Sequence, residues 1–195
     1  ILPIYNQSES LRIVLKHLSN QQCHPAEYEI IVVDDGSTDA LREKIASDDW
    51  PLPKCKITYI HQENQGRAIA RYAGVEKAQG DRLIFCDGDR VPSPTFVTEH
   101  LNAAKNQRNM VVIGCPWDFF GKASLLKTEA NTNWQRIVKL SRKPQYYEKI
   151  MNLYSDGKTE SPIAWCTFLV GNSSIDRRAF ESTGGFDPGF TRSEE

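Results

Sequence analysis

Two strand-like runs that each end in an acidic turn constrain this chain most. Ile30-Ile31-Val32-Val33 is apolar without interruption, as in a strand covered on both faces, and it leads into Asp34-Asp35-Gly36-Ser37-Thr38-Asp39. Arg82-Leu83-Ile84-Phe85-Cys86 is built alike and leads into Asp87-Gly88-Asp89. Strands buried on both faces need helices above and below, so a layered α/β arrangement follows. In such sheets ligands bind in the crevice beyond the carboxyl ends of the strands. Both acidic turns fall there.

The neighbouring segments fit the same arrangement. Ile1–Tyr5 reads as a strand. Leu11, Val14, Leu15 and Leu18 then fall at i, i+3, i+4 and i+7, which gives a helix one apolar stripe. Asn6 or Ser8 is placed to cap it. A short helix is expected around Leu41–Ile45, a third strand over Ile57–His61, and an Ala-rich helix from Gly66 to near Gly80. Ser93-Pro94 suits the cap and first position of a helix carrying Phe96, Val97, His100, Leu101 and Ala104, and Met110–Gly114 suits a fifth strand. This alternation predicts a Rossmann-like, mostly parallel sheet flanked by helices, with right-handed crossovers.

After Gly114 the rhythm breaks. Residues 115–162 are rich in aromatic and basic side chains, with one helix expected around Leu125–Leu140. Regular structure resumes over Ala164–Val170, followed by a helix at Asp176–Ser182 that stops at Gly184-Gly185. The expected organisation is a regular α/β half over residues 1–114 and a smaller, more irregular half over 115–195 of the same domain.

Composition narrows the function classes. The 195 residues carry a formal net charge of -1, which gives no electrostatic reason for nucleic acid or an anionic membrane as main partner. No apolar run approaches the roughly 18–20 residues of a membrane span. The five cysteines, Cys23, Cys55, Cys86, Cys115 and Cys166, are far apart and form no C-x-x-C pair. That speaks against a structural zinc site or disulfide framework and for a reducing compartment such as the cytoplasm. His17, His24, His61 and His100 show no metal-ligand spacing, and no Gly-rich phosphate loop of ATPase or dehydrogenase type is present. The chain begins without a start Met and stops at Ser193-Glu194-Glu195, so it reads as a fragment of a longer protein.

The strand ends carry the chemistry. The first delivers Tyr5 and Asn6, the second Asp34 and Asp35, and the fourth Asp87 and Asp89. Carboxylates crowded at one rim repel unless something positive sits among them. Mg²⁺ or Mn²⁺, with oxygen ligands, is the natural candidate, because such ions take one or two carboxylates and leave other positions to water and phosphate. Taken singly, Asp87-Gly88-Asp89 is a turn, Asp34-Asp35-Gly36-Ser37 is turn and cap chemistry, Tyr5 is a half-buried aromatic and Arg71 a solvated helix position. Their order along the chain carries the reading.

Leu2-Pro3-Ile4-Tyr5-Asn6, then Ile31–Asp39, Asn64-Gln65-Gly66 with Ala70-Arg71, Gly80-Asp81 and Asp87-Gly88-Asp89 occur in sequence. Gly171-Asn172 and Gly184-Gly185-Phe186-Asp187-Pro188-Gly189-Phe190 follow. In this ordered set the chain resembles the family 2 glycosyltransferases, which have the GT-A nucleotide-diphospho-sugar transferase fold, over nearly its whole length. The resemblance implies a nucleotide-sugar donor, UDP-linked, and a saccharide or lipid-linked acceptor, of the kind used in cell-envelope polysaccharide synthesis. It implies that Tyr5 and Pro3 lie against the base, that Asp35 accepts a base N–H, and that Arg71, on the helix opened by Gly66, faces base and phosphates. Asp87 would hold the ribose or a metal-bound water, and Asp89 the Mn²⁺ or Mg²⁺ bridging the diphosphate.

The family's reaction is a single inverting displacement whose base is a carboxylate just after the Gly-Gly-Phe-Asp stretch. Glu195 is the candidate here and Glu194 the second. The first half would be the donor-binding part and the second the acceptor-binding and catalytic part, with Trp117 and Asp118 the acceptor-side candidates. The implied location is the cytoplasm, at the inner face of the membrane, with any peripheral membrane contact made by regions outside this chain.

Two other readings stand beside this one. A nucleotidyltransferase on a related scaffold would need a basic, Gly-rich loop after the first strand, where Tyr5-Asn6-Gln7-Ser8-Glu9 stands instead. A non-catalytic nucleotide-sugar-binding module would keep the donor pocket without a working base.

Overall fold

The apolar run at residues 30–33 becomes the spine of the molecule. The computed structural model describes residues 1–47, 50–107, 109–128, 134–154, 158–162 and 168–187. The run lies within β2 (Glu29–Asp35), and β1 (Leu2–Ile4) and β3 (Lys56–Gln62) flank it in parallel. Pro3 sits opposite Val33, and Asp35 opposite Gln62.

Alternate residues of β2 face opposite layers. Ile30 and Val32 pack with Leu11, Val14, Leu15 and Leu18 of α1 (Ser8–Leu18) and Leu41 of α2 (Leu41–Ile45). Ile31 and Val33 pack with Ala70 of α3 (Arg67–Lys77). Each aliphatic side chain buried in this way contributes about 1.5–3 kcal/mol, and the stripe on α1 spends all four of its apolar residues so.

The start of α1 departs from expectation. Neither Asn6 nor Ser8 caps it through a side chain. The Ser8 N–H instead donates to the Asp39 carboxylate at 2.8 Å, an acid from the turn after β2 placed at the positive end of the helix. Asn6, at φ 52°, accepts the Thr38 N–H at 2.7 Å and donates its own N–H to Ser37 Oγ at 2.9 Å. The turns after β1 and β2 are therefore stitched to each other, and Tyr5 is held between them.

Beyond β4 (Arg82–Cys86) the sheet is not simply parallel. β8 (Asn172–Asp176) lies between β4 and β5 (Val111–Ile113) and runs antiparallel to both. The strand escaped the pattern reading because Asn172-Ser173-Ser174 has no apolar alternation. Ser173 and Ser174 are nonetheless fully buried. Much of the expected Ala164–Val170 element, residues 164–167, lies outside the described residues. Arg82 ties the three strands, donating to Asp176 (2.9 Å), Ser174 Oγ (2.9 Å) and the Met110 carbonyl (2.9 Å).

The two three-stranded sheets meet at Ile1. Its nitrogen donates to the Ile84 carbonyl (2.8 Å), and its carbonyl accepts from the Cys86 N–H (3.1 Å), which is the bond pattern of a parallel bridge. The strands then line up as β3-β2-β1-β4-β8-β5.

α4 (Phe96–Ala103) starts two residues later than Ser93-Pro94 suggests, with Thr95 as its cap residue. Within the span where one helix is expected, Leu125–Leu140, the described helices are α5 (Ala123–Thr128) and α6 (Trp134–Lys139), and residues 129–133 lie outside the described residues. The Trp134 ring meets His17 edge-on at 5.9 Å, which docks α6 on α1. A two-stranded ribbon of β6 (Asp118–Phe119) and β7 (Ser141–Arg142), α7 (Gln145–Met151) and α8 (Arg177–Ser182) complete the described elements. Among the described residues no helix is long and apolar enough to cross a membrane.

Candidate functional site

The ends of β1, β2 and β4 and the first turn of α3 enclose a cleft of about 230 Å³ lined by Pro3, Tyr5, Asp35, Arg67, Asp87 and Asp89, among others. Tyr5 is 50% exposed and lines the cleft. Arg67, exposed at the start of α3, has no hydrogen-bond or ion-pair partner among the described residues. The lining thus combines an aromatic ring, three carboxylates and, in Arg67, a cation without a partner among the described residues.

Asp35 is buried and fully engaged at its base. Its Oδ1 accepts from Gln62 Nε2 (2.7 Å) and the Gln65 N–H (2.9 Å), and its Oδ2 from the Gly66 N–H (2.9 Å). Gly66 caps α3 at φ 92°, a conformation that costs a side-chain-bearing residue strain, so glycine is what lets its N–H point at Asp35. Oδ2 keeps a free lone pair for one more donor. Next to it Asp34 accepts from the Ser37 N–H (2.8 Å) and Tyr59 hydroxyl (2.5 Å), with His61 Nδ1 at 3.2 Å. Burial pushes the Asp34 carboxyl up, but these hydrogen bonds outweigh it and hold it below its ordinary value. Asp34 thus fixes the turn and Asp35 faces the cleft.

Asp87 and Asp89 are held differently. Asp87 Oδ1 takes the Arg71 guanidinium at 2.7 Å, and the Asp87 N–H donates to the Gly171 carbonyl at 3.2 Å. The carboxylate also packs on Gly171 so closely that a Cβ there would overlap Oδ2. Arg71 is mostly buried, and its Nε is enclosed without a partner among the described residues. Asp89 is exposed and has no hydrogen-bond or ion-pair partner among the described residues. It also lines a second, larger cleft of about 550 Å³ that contains Trp117, Asp118, Trp134, Gly171 and Asn172. Asp89 therefore stands on the ridge between the two clefts.

The donor set suits a hard divalent cation held jointly with a ligand. One carboxylate is free and another is already neutralised by Arg71, and among the described residues no three His, Cys, Asp or Glu side chains gather into a complete cage. Mn²⁺ or Mg²⁺ is commonly bound in that way, through one or two carboxylates with phosphate oxygens and water making up the shell.

Of the residues singled out from the sequence, Pro3, Tyr5, Asp35, Asp87 and Asp89 line one cleft. Gly66 backs Asp35, and Arg71 is turned onto Asp87 rather than into the open space. Trp117 and Asp118 lie in the second cleft, with Lys143 Nζ 5.8 Å from the centre of the Trp117 ring. Glu194 and Glu195 lie outside the described residues. Arg67 was missed, although its spacing of four from Arg71 puts both on one helix face. Asn172 was seen only as part of a pattern, and nothing in its neighbourhood marked it as a cleft residue.

The chain is similar to known proteins in sequence and in fold. The glycosyltransferase YfnE of Bacillus subtilis (strain 168) is 30% identical over 224 residues, covering 98% of this chain and 56% of YfnE. Among solved structures, S. aureus TarS in complex with UDP superposes with a TM-score of 0.68 at 18% identity, over 100% of this chain and 51% of that one. The mannosyltransferase PcManGT of Pyrobaculum calidifontis, solved with GDP-Man and Mn²⁺, gives 0.63 at 16% identity, over 96% and 46%. The chain thus spans about half the length of these relatives, and the two solved structures share its GT-A type α/β fold. The family model for glycosyl transferase family 2 matches residues 1–178, and the chain belongs to that family.

Proposed function

We propose that this chain is the donor-binding core of an inverting, metal-assisted glycosyltransferase that uses a UDP-linked sugar and a saccharide or lipid-linked acceptor. The observation that carries the reading is the small cleft, lined by an exposed aromatic, a buried carboxylate with a spare lone pair, and an arginine and a carboxylate that have no partner among the described residues. Tyr5 and Pro3 give the base an apolar face, and Asp35 Oδ2 accepts the uracil N–H. Arg67 meets the diphosphate. Arg71 pairs with Asp87 and orients it towards the ribose side. Asp89, with Asp87 behind it, would hold Mn²⁺ or Mg²⁺, which when bound neutralises charge on the departing diphosphate.

The acceptor enters by the larger cleft, where Trp117 offers a face for a sugar ring and Asp118 a hydrogen-bond acceptor. In the reaction the acceptor oxygen bonds to the anomeric carbon as the bond from that carbon to the diphosphate oxygen breaks. The acceptor's proton passes to a carboxylate, for which Glu195, or Glu194, is the candidate. The division of labour at residue 114 follows, with donor binding before it and acceptor binding and proton transfer after it. The free thiols Cys23, Cys55, Cys86 and Cys115 accord with a cytoplasmic location, and any contact with the inner face of the membrane falls to regions beyond this chain.

Calorimetry with UDP tests the donor site. UDP binding should strengthen at least about tenfold on adding Mn²⁺, and that gain should vanish in Asp89→Ala while the melting temperature stays unchanged. Equal UDP affinity with and without Mn²⁺ removes the metal assignment. Metal-dependent binding without sugar transfer in the full-length protein favours a binding module over an enzyme.

A further inference from the structure

A buried polar chain runs behind the ridge that separates the two clefts. Arg82 Nε donates to Ser174 Oγ at 2.9 Å, Ser174 Oγ lies 3.0 Å from His100 Nδ1, and His100 Nε2 lies 3.1 Å from Asn172 Oδ1. A serine hydroxyl can accept twice but has one hydrogen of its own to give, and the guanidinium at the first link can only donate. Ser174 Oγ accepts from it, and among the described residues His100 Nδ1 is the one acceptor hydrogen-bonded to that hydroxyl. Nδ1 then accepts, so Nε2 carries the ring proton and must meet an oxygen. The Asn172 amide is left with its oxygen inward and its NH₂ as the free end. Asn172 lines the larger cleft beside Asp89 and Trp117, and its Nδ2 has no partner among the described residues. Giving the Ser174 hydrogen to its one acceptor among the described residues thereby sets which end of the amide is left free.

We infer that His100 is a positioning residue, holding Asn172 by its carbonyl oxygen so that the amide NH₂ is offered to an oxygen-bearing ligand, a sugar hydroxyl or acetamido carbonyl, in the larger cleft. The inference rests on the donor–acceptor reading above for its ligand, but not for its hydrogen-bond chain. Gly171, one residue before Asn172, packs against Asp87, so the same short segment serves both clefts. His100 itself is buried and touches neither space. Its ring also meets Phe96 edge-on at 4.9 Å, and Arg82 and Glu99 are the charged groups whose fields act on it. Burial holds its imidazole below the ordinary histidine value, in keeping with a ring that accepts at Nδ1.

Two arms test this. Nitrogen-15 NMR of the chain reads the His100 tautomer and the Asn172 side-chain amide without any ligand. The expected result is an Nε2-protonated neutral ring at pH 7, with Asn172 amide signals that move in His100→Leu and return towards the parent in His100→Gln, which restores a donor to Asn172. A ring protonated at Nδ1, or Asn172 signals indifferent to His100→Leu, overturns the inference. In the second arm the full-length protein turns over UDP-sugars with N-acetylglucosamine and glucose as acceptor probes. His100→Leu should lower kcat/KM for the acceptor about tenfold with UDP affinity unchanged, and His100→Gln should recover most of it. Parallel loss of UDP affinity and acceptor kcat/KM, unrecovered by Gln, reduces His100 to a packing residue and overturns the inference. If the parent protein itself transfers no sugar, the proposed function fails while the NMR arm still decides the hydrogen-bond chain.

Discussion

Replacing Asp35 with Asn removes one charged oxygen with almost no change of shape, and the consequences can be worked through bond by bond. In the native site Oδ1 takes two donors, Gln62 Nε2 and the Gln65 N–H, while Oδ2 takes the Gly66 N–H that opens α3. An amide has one oxygen to offer. The less costly orientation keeps it towards Gln62 and Gln65 and turns the NH₂ towards the Gly66 N–H, donor against donor. Leaving that N–H unsatisfied costs about 1–3 kcal/mol. The two surviving bonds lose their charge assistance, which roughly doubles a hydrogen bond, so about 1 kcal/mol is lost from each. The sum is about 3–5 kcal/mol, a large part of the ~5–15 kcal/mol that stabilises a domain. At about 2–4 °C per kcal/mol for a chain of this size, the melting temperature should fall by roughly 6–20 °C. Differential scanning fluorimetry of parent and variant at pH 7.5 reads this directly. A variant melting within about 2 °C of the parent would refute the reasoning, since α3 would then not depend on Asp35 for its first N–H groups.

Gly171→Ala should push the Asp87 carboxylate away from Arg71, because a Cβ at residue 171 would overlap Oδ2. UDP affinity, measured by calorimetry, should drop about tenfold or more with a much smaller change in stability. Acid should weaken the fold in a defined window. Burial holds His17 and His100 below the ordinary histidine value, so the unfolded chain takes up those protons first. Stability is then full above about pH 6.5 and falls as pH drops through the folded-state values, and urea midpoints at pH 7.5 and 5.5 should differ accordingly, with a shallower difference in His100→Gln. Cys86 is buried, and its thiol is pushed up to about 12 by burial, so alkylation at pH 8 followed by peptide mapping should leave it unmodified until the protein unfolds.

The first half of the chain was legible in the sequence because its elements obey a single rule each. The four-residue apolar run could only be a two-sided strand, and the stripe on α1 buries the residues its spacing selects. The acidic turns at Asp35 and Asp87 fall at the strand ends where a parallel sheet puts its ligands. What was not legible depends on partners far away in the chain. β8 is a strand because Arg82 and His100 satisfy its buried Ser174, the Val170 carbonyl takes the Ser173 hydroxyl, and Arg82 holds its end through Asp176, and no local pattern announces that. Asp39 caps α1 from another loop, which displaced the local caps that Asn6 and Ser8 seemed to offer. Arg71 reads as a ligand-facing cation only through the family resemblance, and tertiary structure turns it onto Asp87. The catalytic carboxylates proposed at 194 and 195 rest on resemblance alone.

β8 arrives late in synthesis yet lies between two strands made long before it. Until Asn172–Asp176 emerges, β4 and β5 each keep an open edge, and open edges are templates for pairing between chains. Arg82 has no Asp176 to meet, and Asp87 has no Gly171 to lean on. Contacts of such long sequence separation form slowly, because the intervening chain must be closed into a loop before they are rewarded. Maturation of this protein is therefore a race between insertion of one polar strand and sticking of its waiting neighbours. Copies clipped or stalled before residue 172 keep both edges open and should be lost to pairing with one another.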